Sequence, residues 1–454
     1  MINSSVFSNC VNLENLTIPS TIKVIGSFAL SNTLVFNLSL PDTFVEIQDF
    51  GLANSNIHWI KYPYTTKIGQ YAFSGCTLQT LTIPYGVTYI GNYTFAGSFL
   101  VWLKCPETLN QIRSNAFDGS KILKVFLLNH LIDIGPAIFQ NSMLKHFTLS
   151  EGYTFIPEAM FSFSKLREFT IPSSVTRIER WAFRGCNIET IIIPETITQI
   201  QTGTFMDSQL RTMRLPSVLS SIDDYAFYNS KLQFIDLPYG IKTIGDSAFG
   251  CTPMGNITIP SSMTAIGTGT FKDSNVSIIH LPSTIKSIGN FAFFNSSLIS
   301  INLTSGMSVG NCAFAWTPMP NITLPSDRNA IYDYEYAYTN LQYFNIPDSV
   351  KSIGKYAFAG CYFDEIRVPK SVTSLGESVF RDTCIKKIYL SSTLKSIGQY
   401  CFMNATCELV DFPEGFTSLS SFCFQKCNIP SLRIPNLVTY IPTNTFDSSL
   451  IRHL

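Results

Sequence analysis

The stretch Ile188–Ser208, IETIIIPETITQIQTGTFMDS, decides the fold. It holds an alternating apolar run ending at Pro194, then Ile197, Ile200 and Phe205, then Asp207 and the small residue Ser208. A shift of 22 residues in either direction returns the same pattern. The Pro194 slot recurs from Pro19 to Pro435 in 20 coils, 16 of which carry proline. Leu128, Ser150, Thr304 and Ser391 fill the other four. The step is 22 residues except for two of 21, Pro63 to Pro84 and Thr304 to Pro325. Such self-similarity along the whole chain marks a repeat architecture.

Each coil reads as a strand, a turn, a short extended piece and one helical turn. Side chains alternate faces along a strand, so Ile191 and Ile193 point inward and Thr190 and Ile192 outward. The inward pair is apolar in every coil, with Tyr62 and Cys105 counted as apolar. Proline, lacking an N–H, ends the pairing. A glycine often follows the next apolar residue, as at Gly26, Gly69, Gly91, Gly245, Gly289 and Gly354, and a corner with positive φ is expected there. Phe occupies the aromatic slot in 18 of 21 cases; Leu30, Leu52 and Tyr336 fill the rest. Two residues later Asn, Gly or Asp is usual, types that tolerate the left-handed conformation. Three residues later the slot holds Cys, Ser, Thr or Ala, small enough for close stacking of coils. One coil cannot bury its apolar rows alone, so stacking is required, and a single solenoid over 1–454 without linkers is expected.

The segments LQTLTIPYGVTYIGNYTF (78–95) and LQFIDLPYGIKTIGDSAF (232–249) carry a motif that resembles the BspA-type leucine-rich repeat family. The resemblance covers nearly the whole chain. It implies a leucine-rich repeat solenoid of parallel strands and a role as a surface or secreted adhesion protein, of the kind found in host-associated bacteria and parasitic protists. The partners it implies are protein or glycan ligands, on host cells or in extracellular matrix.

Hydrophobic residues make up 45% of the chain and charged residues 14%, which suits a large buried core. Lys+Arg and Asp+Glu balance at 31 each, and no basic run favours nucleic acid or anionic membrane. No apolar run is long enough for a transmembrane helix. The start, MINSSVFSNC, is not a secretory signal. The chain opens in mid-coil at Phe7 and stops at Leu454 within an unfinished coil, so a fragmentary chain, or ends covered by self-association, is expected. A cytoplasmic location stands as the alternative to the surface.

Of the 12 cysteines, Cys10, Cys76, Cys186, Cys361 and Cys427 fall in the small slot, which predicts buried free thiols. Cys401 and Cys423 share a slot in adjacent coils, so a bridge between them is geometrically conceivable. The five histidines, His58, His130, His146, His280 and His453, have no metal-ligand spacing, and His146 reads as the surface partner of Glu168. Adjacent Asp364 and Glu365 face opposite ways on a strand and do not converge for acid–base work. No phosphate-cradling glycine loop or nucleophile elbow occurs, so no catalytic residue, metal or cofactor is expected.

The outward strand row should be polar, as at Thr82, Thr170 and Thr258. In coils three to seven it carries instead Trp59, Lys61, Trp102, Lys104, Lys124, Phe126 and His146. Aromatic and basic side chains on an exposed, concave sheet are what an interaction hot spot needs, and these seven are the candidate ligand-binding residues. Scattered apolar surface, or residues covering one another, is the competing reading. A second irregularity is 326–340, SDRNAIYDYEYAYTN, where Arg328 takes an inward slot and Tyr332, Tyr334, Tyr336 and Tyr338 alternate. A locally distorted corner or a tyrosine-lined contact surface accounts for it.

Overall fold

A computed structural model describes residues 1–61, 63, 67–126 and 132–453. Tyr62, Leu128, His130 and Leu454, used in the slot reading, lie outside the described residues. The chain forms two compact units, Met1–Leu219 and Ser220–Leu454. Each repeats one coil, and every strand pairing is parallel. In the first unit Thr190, Ile191 and Ile192 lie beside Thr212, Met213 and Arg214. In the second Asn256, Ile257 and Thr258 lie beside Ile278, Ile279 and His280. The short extended piece forms a second parallel row, as in Tyr89–Ile90 against Gln111–Ile112. Both rows alternate as the sequence predicts: Ile191 and Ile193 are buried while Ile192 is 70% exposed.

The aromatic slot builds the core. Phe95, Phe117 and Phe139 lie in one file, with successive ring centroids 5.4 Å apart and nearly parallel planes. Within the second unit Phe227, Phe249 and Phe271 form a file of the same kind, at 5.3 and 5.8 Å. The slot three residues on is hydroxyl-bearing for a reason beyond size. Ser98 Oγ donates to the Phe95 carbonyl at 2.7 Å, and Ser142, Ser208 and Ser274 repeat the bond to the carbonyl three residues back.

The helical turn predicted around the aromatic is absent; no α-helix occurs among the described residues. A helix needs successive negative φ values. Here φ is positive both two residues before the aromatic and two after it, as at Trp181 and Gly185 around Phe183. Backbone donors therefore divide their work. The N–H groups of Trp181, Phe183 and Gly185 donate to the next coil at Thr202, Thr204 and Met206. Those of Ala182, Arg184 and Cys186 close turns to the carbonyls of Glu179, Trp181 and Phe183. Every second N–H thus stitches coil to coil, leaving no helical ladder.

The corner glycines also depart from expectation. Gly26, Gly69, Gly91, Gly245, Gly289 and Gly354 are not among the residues with positive φ. At several of them glycine permits a close approach instead: a Cβ on Gly245 would lie 2.4 Å from the Asp224 amide nitrogen, and one on Gly26 2.7 Å from that of Ser4. The two short coils keep the second strand row in register. Glu46 and Ile47 pair with Lys67 and Ile68, 21 residues on, and Ser287 and Ile288 with Ser308 and Val309. The omitted residue falls between the Pro63 or Thr304 slot and the second strand row.

The irregular coil at 326–340 keeps its strand register, and its four tyrosines divide between the core and the surface. Ala330 and Ile331 pair normally with Ser352 and Ile353. Arg328, 5% exposed, donates from Nη2 to both oxygens of the fully buried Glu335 at 2.8 and 2.7 Å, and from Nε to the Ala330 carbonyl at 2.7 Å. Glu335 also accepts from the Tyr332 amide at 2.8 Å. Burial pushes its carboxyl above the ordinary carboxylate value, with Arg328 opposing. The four tyrosines disperse. Tyr336 joins the core file between Phe314 and Phe358, Tyr334 stacks on Tyr356 at 4.5 Å, and Tyr338 stacks on Trp316 at 4.2 Å.

Candidate functional site

Strand alternation exposes the candidate residues. Trp59 and Lys61 flank buried Ile60, and Trp102 and Lys104 flank buried Leu103. Thr80–Thr82, Trp102–Lys104 and Lys124–Phe126 form one parallel sheet, with Trp102 beside both Thr80 and Lys124 and Lys104 beside Phe126. This register places Phe126 diagonally from Trp102, their rings 5.4 Å apart and tilted by 56°. The Lys124 ammonium sits 4.4 Å from the Phe126 ring centroid, within cation–π range. On the other side of Trp102, a recess of about 430 Å³ is bordered by Trp59, Lys61, Thr80, Thr82, Pro84 and Trp102. Trp59 is 52% exposed over it.

Six of the seven candidates therefore fall into two contiguous groups that share Trp102. His146 does not join them. It bridges to Glu168 in the following coil, its Nδ1 3.7 Å from the carboxylate, and both side chains are mostly exposed. The pair borders a separate recess with Thr148, Glu151 and Thr170. An exposed pair at that distance contributes little to stability.

A second cluster on the strand face escapes slot arithmetic. In Tyr362–Arg367 the buried residues are Phe363 and Ile366, three apart. Asp364 and Glu365 are consequently both partly exposed, which corrects the expectation that they face opposite ways. They still do not converge: Asp364 takes Lys386 at 2.5 Å and Glu365 takes Arg367 at 2.7 Å. Lys386 and Tyr343 hold the Asp364 carboxyl below its usual value. The Arg367 guanidinium lies 3.8 Å from the Tyr389 ring. A further missed feature is a second aromatic file, Phe28, Phe50, Tyr71 and Tyr93, stacked at 4.5, 4.4 and 4.7 Å. All four sit at positive φ, two residues before the core slot. The recurrence of aromatics at that slot was the available signal.

The cysteines are free thiols. Cys76, Cys186, Cys361 and Cys427 are buried as their slot predicts, but Cys10 is exposed. Burial pushes Cys76 up to about 11 and Cys105, Cys186 and Cys423 up to about 12, so these thiols hold their protons at neutral pH and are poor nucleophiles. An alkylating reagent on the folded protein is expected to modify Cys10 and to spare Cys76, Cys105, Cys186, Cys361, Cys401 and Cys423 until denaturant is added, as read by intact mass. Early labelling of the buried six would contradict their placement. Among the described residues no group of three His, Cys, Asp or Glu side chains is placed to hold a metal ion. No helix there is long and apolar enough to cross a membrane.

Solved structures similar to this chain include three bacterial leucine-rich repeat proteins. A leucine-rich repeat protein from Bacteroides ovatus aligns at 22% identity and a TM-score of 0.50, covering 73% of this chain and 87% of its own. One from Eubacterium ventriosum aligns at 21% identity and a TM-score of 0.44, covering 63% and 83%. A leucine rich cell surface protein from Faecalibacterium prausnitzii aligns at 23% identity and a TM-score of 0.41, covering 69% and 88%. No curated protein matches the sequence significantly. The family model for the BspA type leucine rich repeat region matches residues 1–67, 66–189, 176–278, 244–351 and 329–452. With that model spanning almost the whole sequence and the coil geometry agreeing with it, the chain belongs to the BspA-type leucine-rich repeat family.

Proposed function

We propose that this chain is a non-enzymatic binding or adhesion protein, secreted or held at the cell surface, that engages a protein or glycan partner through its strand face. One observation carries the reading: Trp59 and Trp102 border a single open recess with Lys61 and with the outward Thr80 and Thr82 of the strand between them in sequence. Desolvating such aromatic anchors is a typical source of binding energy. The family assignment supports a scaffold of this kind.

Replacing Trp59, Trp102 and Phe126 together by Ala is expected to weaken retention of the labelled chain on epithelial cells about tenfold or more. The circular dichroism spectrum should not change. Undiminished retention would overturn the proposal. An intracellular scaffold is the second reading, favoured by the buried free thiols at eight positions. Proteolysis of intact native cells separates the two, since only a surface protein is clipped.

A further inference from the structure

We infer that the face carrying Trp59, Lys61, Trp102, Lys104 and Lys124 takes an anionic polysaccharide, with sugar rings on the indoles and carboxylates or sulfates on the ammonium groups. This rests on the reading of that face as a binding surface and names its ligand class.

Charge is the first argument. The chain as a whole is formally neutral, yet residues 50–106 contain no Asp or Glu. Across 50–132, Lys61, Lys67, Lys104, Arg113, Lys121 and Lys124 stand against Glu107 and Asp118 alone. Overall balance conceals a local positive field, and such a field draws anions to the surface that bears it.

The second argument is what the lysines lack. Some outward cations of other strands are neutralised locally: Lys386 by Asp364 at 2.5 Å and Arg367 by Glu365 at 2.7 Å. Lys61, Lys104 and Lys124 are exposed and, among the described residues, enter no ion pair. Three ammonium groups on one run of strands are left for an external anion.

The shape and polarity of the recess choose a glycan over an acidic protein. Its floor includes outward Thr80 and Thr82, with Trp59 and Trp102 on either side. A pyranose presents a C–H face that packs on an indole and hydroxyls that bond threonine. A protein anchor would instead seek an apolar hole. Phe126 covers one side of Trp102 and Lys124 rides on Phe126, so the recess with Lys61 lies on the other, open side of the indole and Lys124 flanks it from across the ring.

The test uses the full chain and calorimetric titration with a size-defined heparin oligosaccharide, an oligogalacturonate, neutral dextran and polyglutamate. Both anionic glycans should bind and dextran should not. Lys61→Ala with Lys104→Ala and Lys124→Ala should weaken binding about tenfold or more and flatten its salt dependence. Trp59→Ala with Trp102→Ala should weaken it by a similar factor with the salt dependence kept. Denaturation midpoints should match wild type, because all five side chains lie on the outward row. Heparin binding that ignores the lysine triple overturns the inference. So does polyglutamate binding as tight as the glycans and indifferent to the tryptophans, which would mark an acidic protein as the partner. If neither anionic glycan binds while the aromatic triple still abolishes retention on cells, only the ligand class falls. If the aromatic triple has no effect either, the binding surface falls with it.

Discussion

Glu335→Ala is expected to destabilise the second unit by about 3–5 kcal/mol, because it strands a buried guanidinium. Arg328 keeps only two backbone carbonyls, those of Ala330 at 2.7 Å and Met307 at 3.5 Å. The informative companion is the double replacement Arg328→Ile with Glu335→Ala. It restores what other coils carry at these slots, such as Ile197 and Ala182. Burial already holds the Glu335 carboxyl above its ordinary value, a sign that desolvation outweighs the attraction. The double variant should therefore match wild type or exceed it, by up to about 4 kcal/mol. Hydrogen exchange of the amides from 325 to 358 reads both changes locally, as suits a repeat protein whose coils need not unfold together. A double variant as unstable as the single one would mean that the pair, not mere neutrality, holds the coil.

Phe117→Ala should cost about 3–5 kcal/mol, the range for truncating a buried aromatic. Phe117 is fully buried and stacks on Phe95 and Phe139, so its loss opens a gap shared by three coils. Thr190→Ala, on the exposed outward row, should stay within about 0.5 kcal/mol of wild type. The comparison is made by urea denaturation, and equal midpoints for the two variants would refute the division of slots into inward and outward.

These two experiments separate what the sequence declares from what it hides. The core file is declared, since Phe recurs at one slot and 22 residues is one coil. Trp59 and Trp102 are declared in the same way, by sharing a slot, and Phe126 by the arithmetic that sets it two residues beyond. The backbone around the aromatic is hidden. Asn and Gly after Phe advertise positive φ, but the matching position before it holds Phe28, Tyr71 and Trp181, types that give no such warning. Gly245 shows the reverse, a glycine that suggests an unusual φ and instead makes room for the neighbouring backbone. Arg328 conceals its partner, because Glu335 sits seven residues away in a slot that elsewhere holds small or apolar residues. Asp364 and Glu365 mislead because their strand breaks the two-residue period from Phe363 to Ile366.

The two 21-residue coils show where this architecture tolerates editing. Both lose their residue in the corner between the proline slot and the second strand row, and both re-enter that row in step with the coil before. The arc around the aromatic allows no such freedom, because its alternate donors must meet the carbonyls of the following coil. Length variation among descendants of this gene, and any tag or epitope grafted by design, should therefore collect at the proline corner, while the aromatic side changes only by gain or loss of entire modules.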